Sequence, residues 1–481
     1  MVNHNKNNAK IQQVELVKYH TQQVKFTGDE MTRSVLQFLC ETANRFENTV
    51  LYSIRRNYFE KNQDFYLAPG RDDQPRMYRK SKAITGVSCP KLWKQFKTDS
   101  DYSLLGGQQA QQAIKSVVER VNSYNGLRKA YFNGTIERHP NLPGYRTSSG
   151  LAPITFPGQA VRFDVETGDG TLAISRENKS EVAAIGVSKL TVNGGYGFNP
   201  EDVIEVRILP KLGEFYVEYV YFNRGVRCPL NHLDRTQALG IDHGRDNWLT
   251  CVSTLGKSFI IDGRKLKSLN LRYNKRVAQL KSGKPEKYWD AELDRVTTQR
   301  NHQMRDAINK TARFLVNHCL ANKIGTVVFG WNPGQKVGAN MSRVQNQQFV
   351  QIPTGRLKER IRQLCEEYGI RFVETEEAYT SKASFLDGDS PPRHGEKPSQ
   401  WKPSGKRVQR GLYRASNGQM VNADCNGAAN IIAKVSTQLG ITLAKVSKGV
   451  LNLPKRYSVF SDLTRLYRGV ADRISSECGS H

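Results

Sequence analysis

The period of the apolar residues changes three times along this chain, and each change limits what the local segment can fold into. From Glu30 to Asn62 the residues Val35, Leu36, Leu39, Phe46, Val50, Leu51 and Ile54 recur at helical spacing, with Thr27 or Asp29 placed to cap them. Residues 106–132 repeat the pattern through Ile114, Val117, Val118, Val121 and Tyr124, with Lys115, Arg120 and Arg128 on the other face. The stretch 63–90 between them, rich in Arg, Lys, Pro and Gly, reads as loop. From 152 to 232 the pattern becomes short β-rich runs (ITFPG, VRFDVET, TLAIS, SKLTV, DVIEVRIL, EFYVEYVYF) punctuated by Gly, Asn and Pro, as in a small antiparallel barrel or sandwich. Residues 11–27 alternate in the same way, so the helical block is either inserted into the β domain or placed in series with it.

Past Arg235 the pattern shifts to strands and helices in turn. ALGIDHGRDNWLTCVSTLGKSFIIDG predicts two or three strands, and a basic helical region follows over 265–322, broken near SGKPEKYW. Then come a buried-type strand (IGTVVFG), a helix after Pro353, a strand (IRFVETE), a Gly/Ser/Pro loop over 386–405 and a helix in NADCNGAANIIAKV. This order means an α/β layered domain. At 481 residues the chain needs more than one core. No run of 18 apolar residues is present, which argues against a membrane-spanning helix. The polar start MVNHNKNNAK lacks the apolar core of a secretory signal. Eight cysteines are scattered singly with no C-x-x-C pair, which fits a reducing, cytoplasmic setting and gives no reason to expect zinc.

Charge narrows the partner. Lys and Arg total 72 against 45 acids, a net charge of +27. Such an excess calls for a polyanion, and nucleic acid is the natural one, since each phosphate neutralised releases a counterion. The basic residues do not gather on one amphipathic helix, which argues against a membrane surface.

Within this basic chain some acids stand in costly places. Asp242 ends the apolar run Leu239-Gly240-Ile241, where a carboxylate needs a partner or a cation. Asp424 lies among Ala423, Gly427 and Ala428, small residues that let a helix pack tightly on a sheet. Glu374, Glu376 and Glu377 close the strand IRFVETEE. Three acids brought to one end of a sheet form a hard-oxygen site suited to Mg²⁺. Two such ions about 4 Å apart would activate water for phosphodiester cleavage. Each acid also has an ordinary use: Asp242 in a turn, Asp424 as a helix N-cap, Glu376 and Glu377 solvating a strand end.

The residues also carry a resemblance. ALGIDHGRDNWLTCVS and NADCNGAANI resemble the first and third RuvC-type motifs of the TnpB family, transposon-encoded relatives of type V CRISPR effectors, and EEAYTSKASF resembles that family's segment after the last core strand. The resemblance runs from about residue 11 to 435. It implies a multidomain α/β chain: a RuvC/RNase H-like nuclease domain at 236–435 with a helical insertion at 265–322, and a small antiparallel β-barrel, or wedge, domain at 1–27 and 136–235. A helical recognition domain at 28–135 would be inserted in the wedge, and a basic tail would fill 436–481. The family usually carries a catalytic Glu at the end of the strand aligned with IGTVVFG, where this chain has Gly330 and Trp331. Some members have moved that acid to the neighbouring strand. Glu377 fills the role by its spacing to Tyr379, with Glu376 as the alternative; strand alternation lets only one of them face the site.

Asp242, Glu377 and Asp424 are then the expected catalytic and metal-holding residues, with Mg²⁺, or Mn²⁺ in its place. A guide RNA and target double-stranded DNA are the implied partners, in a prokaryotic cytoplasm. The relatives' zinc ribbon is absent after YTSK, leaving a basic loop in which Lys402, Lys406, Arg407 and Arg410 are candidates for phosphate contact, together with Lys382. Tyr52, Tyr58, Phe65, Tyr78, Trp93 and Phe96 could stack on bases or pack in the core. Two other readings stand beside an RNA-guided DNA endonuclease: a guided DNA-binding protein with a dead site, and a guide-free RNase H-like nuclease or transposase.

Overall fold

The computed structural model describes residues 19–69, 74–164, 166–184, 186–195, 198–222, 233–244, 246–332 and 352–463. The chain forms two compact units, Lys18–Asn223 and the residues from Arg224 onward. Among the described residues no helix is long and apolar enough to cross a membrane.

In the first unit strand β1 (Tyr19–Lys25) leads to helix α1 (Glu30–Lys61). Asp29 is the cap, accepting from the Thr32 amide at 2.7 Å. A short hairpin follows, β2 (Phe65–Pro69) and β3 (Pro75–Arg79), where the sequence reads as loop. Its period-2 signal is hidden by the prolines that close both strand ends. Helices α2 (Cys89–Phe96), α3 (Ser100–Leu105) and α4 (Gly107–Phe132) complete the helical block. Leu36, Phe46, Leu51, Ile114 and Val117 are buried in its core. Arg120 is not part of a free basic face: with Arg146 it holds the buried Glu47, at 3.0 and 2.8 Å. Tyr58 and Phe96 are core residues and Trp93 packs against them, whereas Tyr52 and Phe65 are exposed. The Tyr78 side chain lies outside the described atoms.

Then come β4 (Ile154–Pro157), β5 (Val161–Phe163), β6 (Gly170–Leu172), helix α5 (Arg176–Ala184), β7 (Leu190–Val192), β8 (Val203–Lys211) and β9 (Glu214–Phe222). They make two antiparallel sheets, ordered β1-β9-β8-β4 and β5-β6-β7. Strand β1 runs along β9 from Tyr19 opposite Phe222 to Lys25 opposite Tyr216. The chain thus leaves this sheet after β1 and returns to it at β4. Residues 11–18 of the expected first strands lie outside the described residues.

The second unit is built on a six-stranded mixed sheet. Strands β10 (Asp234–His243), β11 (Asn247–Ser253) and β12 (Lys257–Asp262) form an antiparallel meander. Helices α6 (Arg264–Lys281) and α7 (Ala291–Ala321) follow, then β13 (Ile324–Gly330), parallel to β10. Helix α8 (Thr354–Glu367) returns the chain to β14 (Arg371–Thr375), parallel to β13. A small sheet, β15 (Lys406–Gln409), β16 (Leu412–Arg414) and β17 (Met420–Asn422), precedes helix α9 (Ala423–Leu439). Past it, α10 (Lys448–Asn452) leads to β18 (Lys455–Ser458), which joins the main sheet beside β12. A basic tail set apart from residue 436 is therefore corrected as far as residue 463. Helix α9 runs on to Leu439, and Leu451, Val459 and Leu463 are buried.

His318 on α7 packs against Phe259, ring centroids 4.8 Å apart, and its Nε2 has no hydrogen-bond partner among the described residues. Burial, reinforced by the Lys257 ammonium, pushes this imidazole down to about 4. A group depressed below its unfolded value of about 6.5 takes up protons on unfolding. Its contribution is complete above that value and fades as pH falls toward 4. Guanidinium unfolding at pH 7 and pH 4.5 should show a loss of about 2–3 kcal/mol that is absent in His318→Gln. An equal loss in both proteins would rule out this imidazole as the cause.

Candidate functional site

Parallel strands β10, β13 and β14 end at the same edge of the sheet, so Asp242, Gly330 and Thr375 come together there. Helix α9 lies across β10 with almost no gap. A Cβ on Gly240 would stand 2.4 Å from Ile432 Cγ1 and 2.6 Å from the Ala428 carbonyl oxygen. A Cβ on Gly427 would stand 2.7 Å from Asp242 Oδ2. The small residues of NADCNGAANI thus bring the start of the helix onto the carboxylate of the strand.

Asp424 is not the cap of this helix. Asn422 is: its side-chain oxygen accepts from the Asp424 and Cys425 amides, both at 3.0 Å. The Asp424 carboxylate, in the first turn at the positive end of the helix dipole, is left for other partners. Its Oδ2 accepts from Asn247 Nδ2 at 2.6 Å, and its Oδ1 is 3.4 Å from Arg407 Nη2. Asn422→Ala should cost about 1 kcal/mol in unfolding free energy and loosen Asp424. Guanidinium unfolding at the wild-type free energy would show that this cap contributes nothing to the helix.

Glu377 follows β14. Its amide donates to Asn332 Oδ1 at 2.9 Å, and its carbonyl accepts from the Thr380 hydroxyl at 2.8 Å. Two residues on, Tyr379 takes φ = 63°, left-handed backbone that a bulky residue adopts only when its surroundings enforce it. The Glu377 side chain runs back over Gly330, where a Cβ would meet Ile431 Cδ1 at 2.5 Å, Glu377 Cγ at 2.9 Å and Oε1 at 3.0 Å. It is 11% exposed, with Oε1 3.3 Å from His243 Nε2. Glu376 turns the other way, to Lys434 Nζ at 2.6 Å and the His394 amide at 3.1 Å. Glu374 pairs with Lys358 at 2.6 Å. Of the three strand-end acids, Glu377 is the one that reaches Asp242.

Asp242 keeps some exposed surface at its rim but is otherwise packed among protein atoms. Burial, then the charges of Glu377 and Asp424, hold its carboxyl well above the usual carboxylate range, and Arg407 opposes them. Carboxylates are the donors that a hard cation takes. As placed, though, no group of three or more His, Cys, Asp or Glu side chains among the described residues stands close enough to hold an ion. Asp424 is engaged by Asn247 and Arg407.

The basic candidates separate. Arg407 reaches Asp424, and Arg410 forms an ion pair with Asp246. Lys402 and Lys406 are exposed, on the loop and on β15. Lys382 lies 5.9 Å above the Tyr379 ring, and its carbonyl accepts from the Tyr413 hydroxyl at 2.7 Å. The 386–405 loop is ordered by hydrogen bonds. Asp389 accepts from the Ser384 and Ser404 amides at 2.7 and 2.9 Å, and Trp401 Nε1 donates to the Ser390 carbonyl at 3.0 Å.

The sequence reading missed Asn247, Asn422, His243 and Asn332. It also missed Asn426 and Asn430, whose side-chain amides donate to the Ala383 carbonyl at 2.7 and 2.8 Å and hold the YTSK turn against α9. The i, i+4 spacing of these two buried asparagines was the available signal.

Comparison with known proteins falls on the same stretches. Residues 224–332 match the OrfB_IS605 family, described as a probable transposase, and residues 355–431 match the Cas12f1-like TNB domain family. No curated protein matches. Among solved structures, a Cas12f1–sgRNA–target DNA complex aligns at 16% identity over 84% of this chain and 83% of that one, with a TM-score of 0.49. A CRISPR–Cas12f ternary complex aligns at 14% identity over 83% and 81%, with a TM-score of 0.29. The two family matches contain the first and third motifs, so these stretches of the chain are similar to TnpB/Cas12f-like proteins.

Proposed function

We propose that this TnpB/Cas12f-like chain is an RNA-guided DNA endonuclease acting in a prokaryotic cytoplasm. This reading is supported by the placement of Asp242 and of the strand end before Glu377 at one sheet edge, with the first turn of α9, which carries Asp424, packed on Asp242 at Gly427. The strand order β14-β13-β10-β11-β12, with an antiparallel meander followed by two parallel strands, supports an RNase H-like nuclease core.

Asp242 would be the central oxygen donor, since β10 is flanked by β13 and β11 and has no freedom to move. Glu377 would supply the second donor from above Gly330, and Asp424 the third once it turns from Asn247. A divalent cation such as Mg²⁺ bound there would supply Lewis-acid polarisation of a phosphate and of attacking water. No side-chain nucleophile is needed. Lys402, Lys406 and Arg410 would hold the backbone of the strand near the site, and Lys382 would contact a phosphate. Base pairing to a guide RNA would read the sequence of a double-stranded DNA target, leaving the protein to grip backbone. The engaged Asp424 favours a second reading, a guided binder that does not cut.

The test is to purify the chain with its co-expressed RNA, sequence that RNA, and offer matched DNA with Mg²⁺. One defined RNA with cleavage abolished by Asp242→Ala supports the proposal. Tight guided binding without cleavage favours the inert binder, and random RNA fragments favour a guide-free nuclease.

A further inference from the structure

Both oxygens of Asp424 are engaged by protein groups, one by Asn247 and the other by Arg407. The Asn247 contact is short, at 2.6 Å, and is itself braced, since Asn247 Oδ1 accepts from Arg456 Nη1 at 2.9 Å. The Arg407 contact is different. It is long, at 3.4 Å, between groups that are 43% and 29% exposed, so it is weak and screened by salt. Arg407 also lies on β15, which pairs with β16 on one side only. Just past the strand, Arg410 is tied to Asp246 in the β10–β11 turn, and Asp246 also receives Lys267 at 3.3 Å. Both arginines thus sit in exposed ion pairs at the rim of the site, and the long contact holds the Arg407 guanidinium there only loosely.

We propose that Arg407 is the resident counter-charge of the carboxylate cluster, given up to a nucleic-acid phosphate so that a divalent cation can take its place. This rests on the reading of Asp242, Glu377 and Asp424 as a cation site. A guanidinium cannot lose its proton, so it always competes with a cation for Asp424. It also binds phosphate through two parallel hydrogen bonds, which are stronger than one long exposed contact to a carboxylate. A strand of nucleic acid crossing β15 would draw Arg407 outward and leave Asp424 short of positive charge beside Asp242 and Glu377. The cluster then accepts a cation where before it had a cheaper neutraliser. Phosphate and cation binding are coupled through this one side chain, and the coupling is reciprocal: the cation must strengthen nucleic-acid binding by the same factor. The protein without nucleic acid would be poorly loaded with metal.

The experiment measures Mn²⁺ binding to the full chain by the electron paramagnetic resonance signal of free Mn²⁺. It is run with and without a short single-stranded oligothymidylate, against an oligonucleotide-only blank. In wild type the oligonucleotide should tighten Mn²⁺ binding about tenfold. Arg407→Gln should bind Mn²⁺ about tenfold more tightly than wild type without the oligonucleotide, and gain less than about twofold from it. Arg407→Lys, which keeps the charge, should retain most of the coupling. Asp424→Asn should lose the tight Mn²⁺ in every state. If Asp424→Asn abolishes Mn²⁺ binding but Arg407→Gln matches wild type with and without the oligonucleotide, the counter-charge proposal is wrong and the cation site stands. If no Mn²⁺ binding depends on Asp424, the cation site falls and the proposal falls with it.

Discussion

Asp242→Asn is expected to abolish DNA cleavage and to make the metal-free protein more stable. These effects usually oppose each other in a core residue, and here they share one cause. The Asp242 carboxyl is deep among protein atoms and faces Glu377 and Asp424, so its charge is unwelcome in the absence of a cation. A neutral amide of the same shape removes the repulsion and can donate to either neighbour. The gain should be about 0.5–2 kcal/mol, read from guanidinium unfolding in chelator. The activity loss should be on the order of 10³-fold or more, because the variant gives up a charged donor worth several kcal/mol of transition-state stabilisation. A variant that is both less stable and inactive would show that Asp242 has a packing role instead. Residual cleavage within about tenfold of wild type would remove Asp242 from the site altogether.

Gly330→Ala should be nearly as damaging, although alanine adds one methyl group and Gly330 carries no charge of its own. That methyl has nowhere to go: Ile431 Cδ1 would be 2.5 Å away and Glu377 Cγ 2.9 Å away. Ile431 is buried in the core of α9, so Glu377 is the side that yields. Overpacking of this kind costs about 1–3 kcal/mol. A displacement of about 1 Å in a group at the reaction centre costs on the order of 10²-fold in rate. Cleavage and unfolding measured on Gly330→Ala, Glu377→Ala and the double variant separate the two effects. In the double variant the activity loss should be no greater than for Glu377→Ala alone, because the methyl then has no glutamate left to displace. Additive losses would mean that Gly330 acts through the backbone.

What the sequence could reveal followed the range over which each signal acts. Helical period is local, and it placed α1, α4 and α7 and left Asp29 and Thr27 as the two candidate caps, of which the structure uses Asp29. Asp242 was legible because a carboxylate in an apolar strand has few ordinary uses. Strand β18 was not, since its pairing with β12 joins residues about two hundred positions apart and leaves no mark on the local pattern. The β2–β3 hairpin was hidden by its own prolines. Asn422 and Asp424 are both good caps by residue type, and only the hydrogen bonds to the Asp424 and Cys425 amides distinguish them. Alternation showed that Glu376 and Glu377 must diverge, but the direction of each depends on Lys434 in α9 and on the space above Gly330. The engagement of Asp424 by Arg407 is a tertiary outcome that no pattern in either segment announces.

The space above Gly330 also bears on history. An acid on β13 and an acid at position 377 would compete for one small volume, so neither can be added while the other remains. Relatives that keep a glutamate at position 377 are therefore expected to keep glycine at 330.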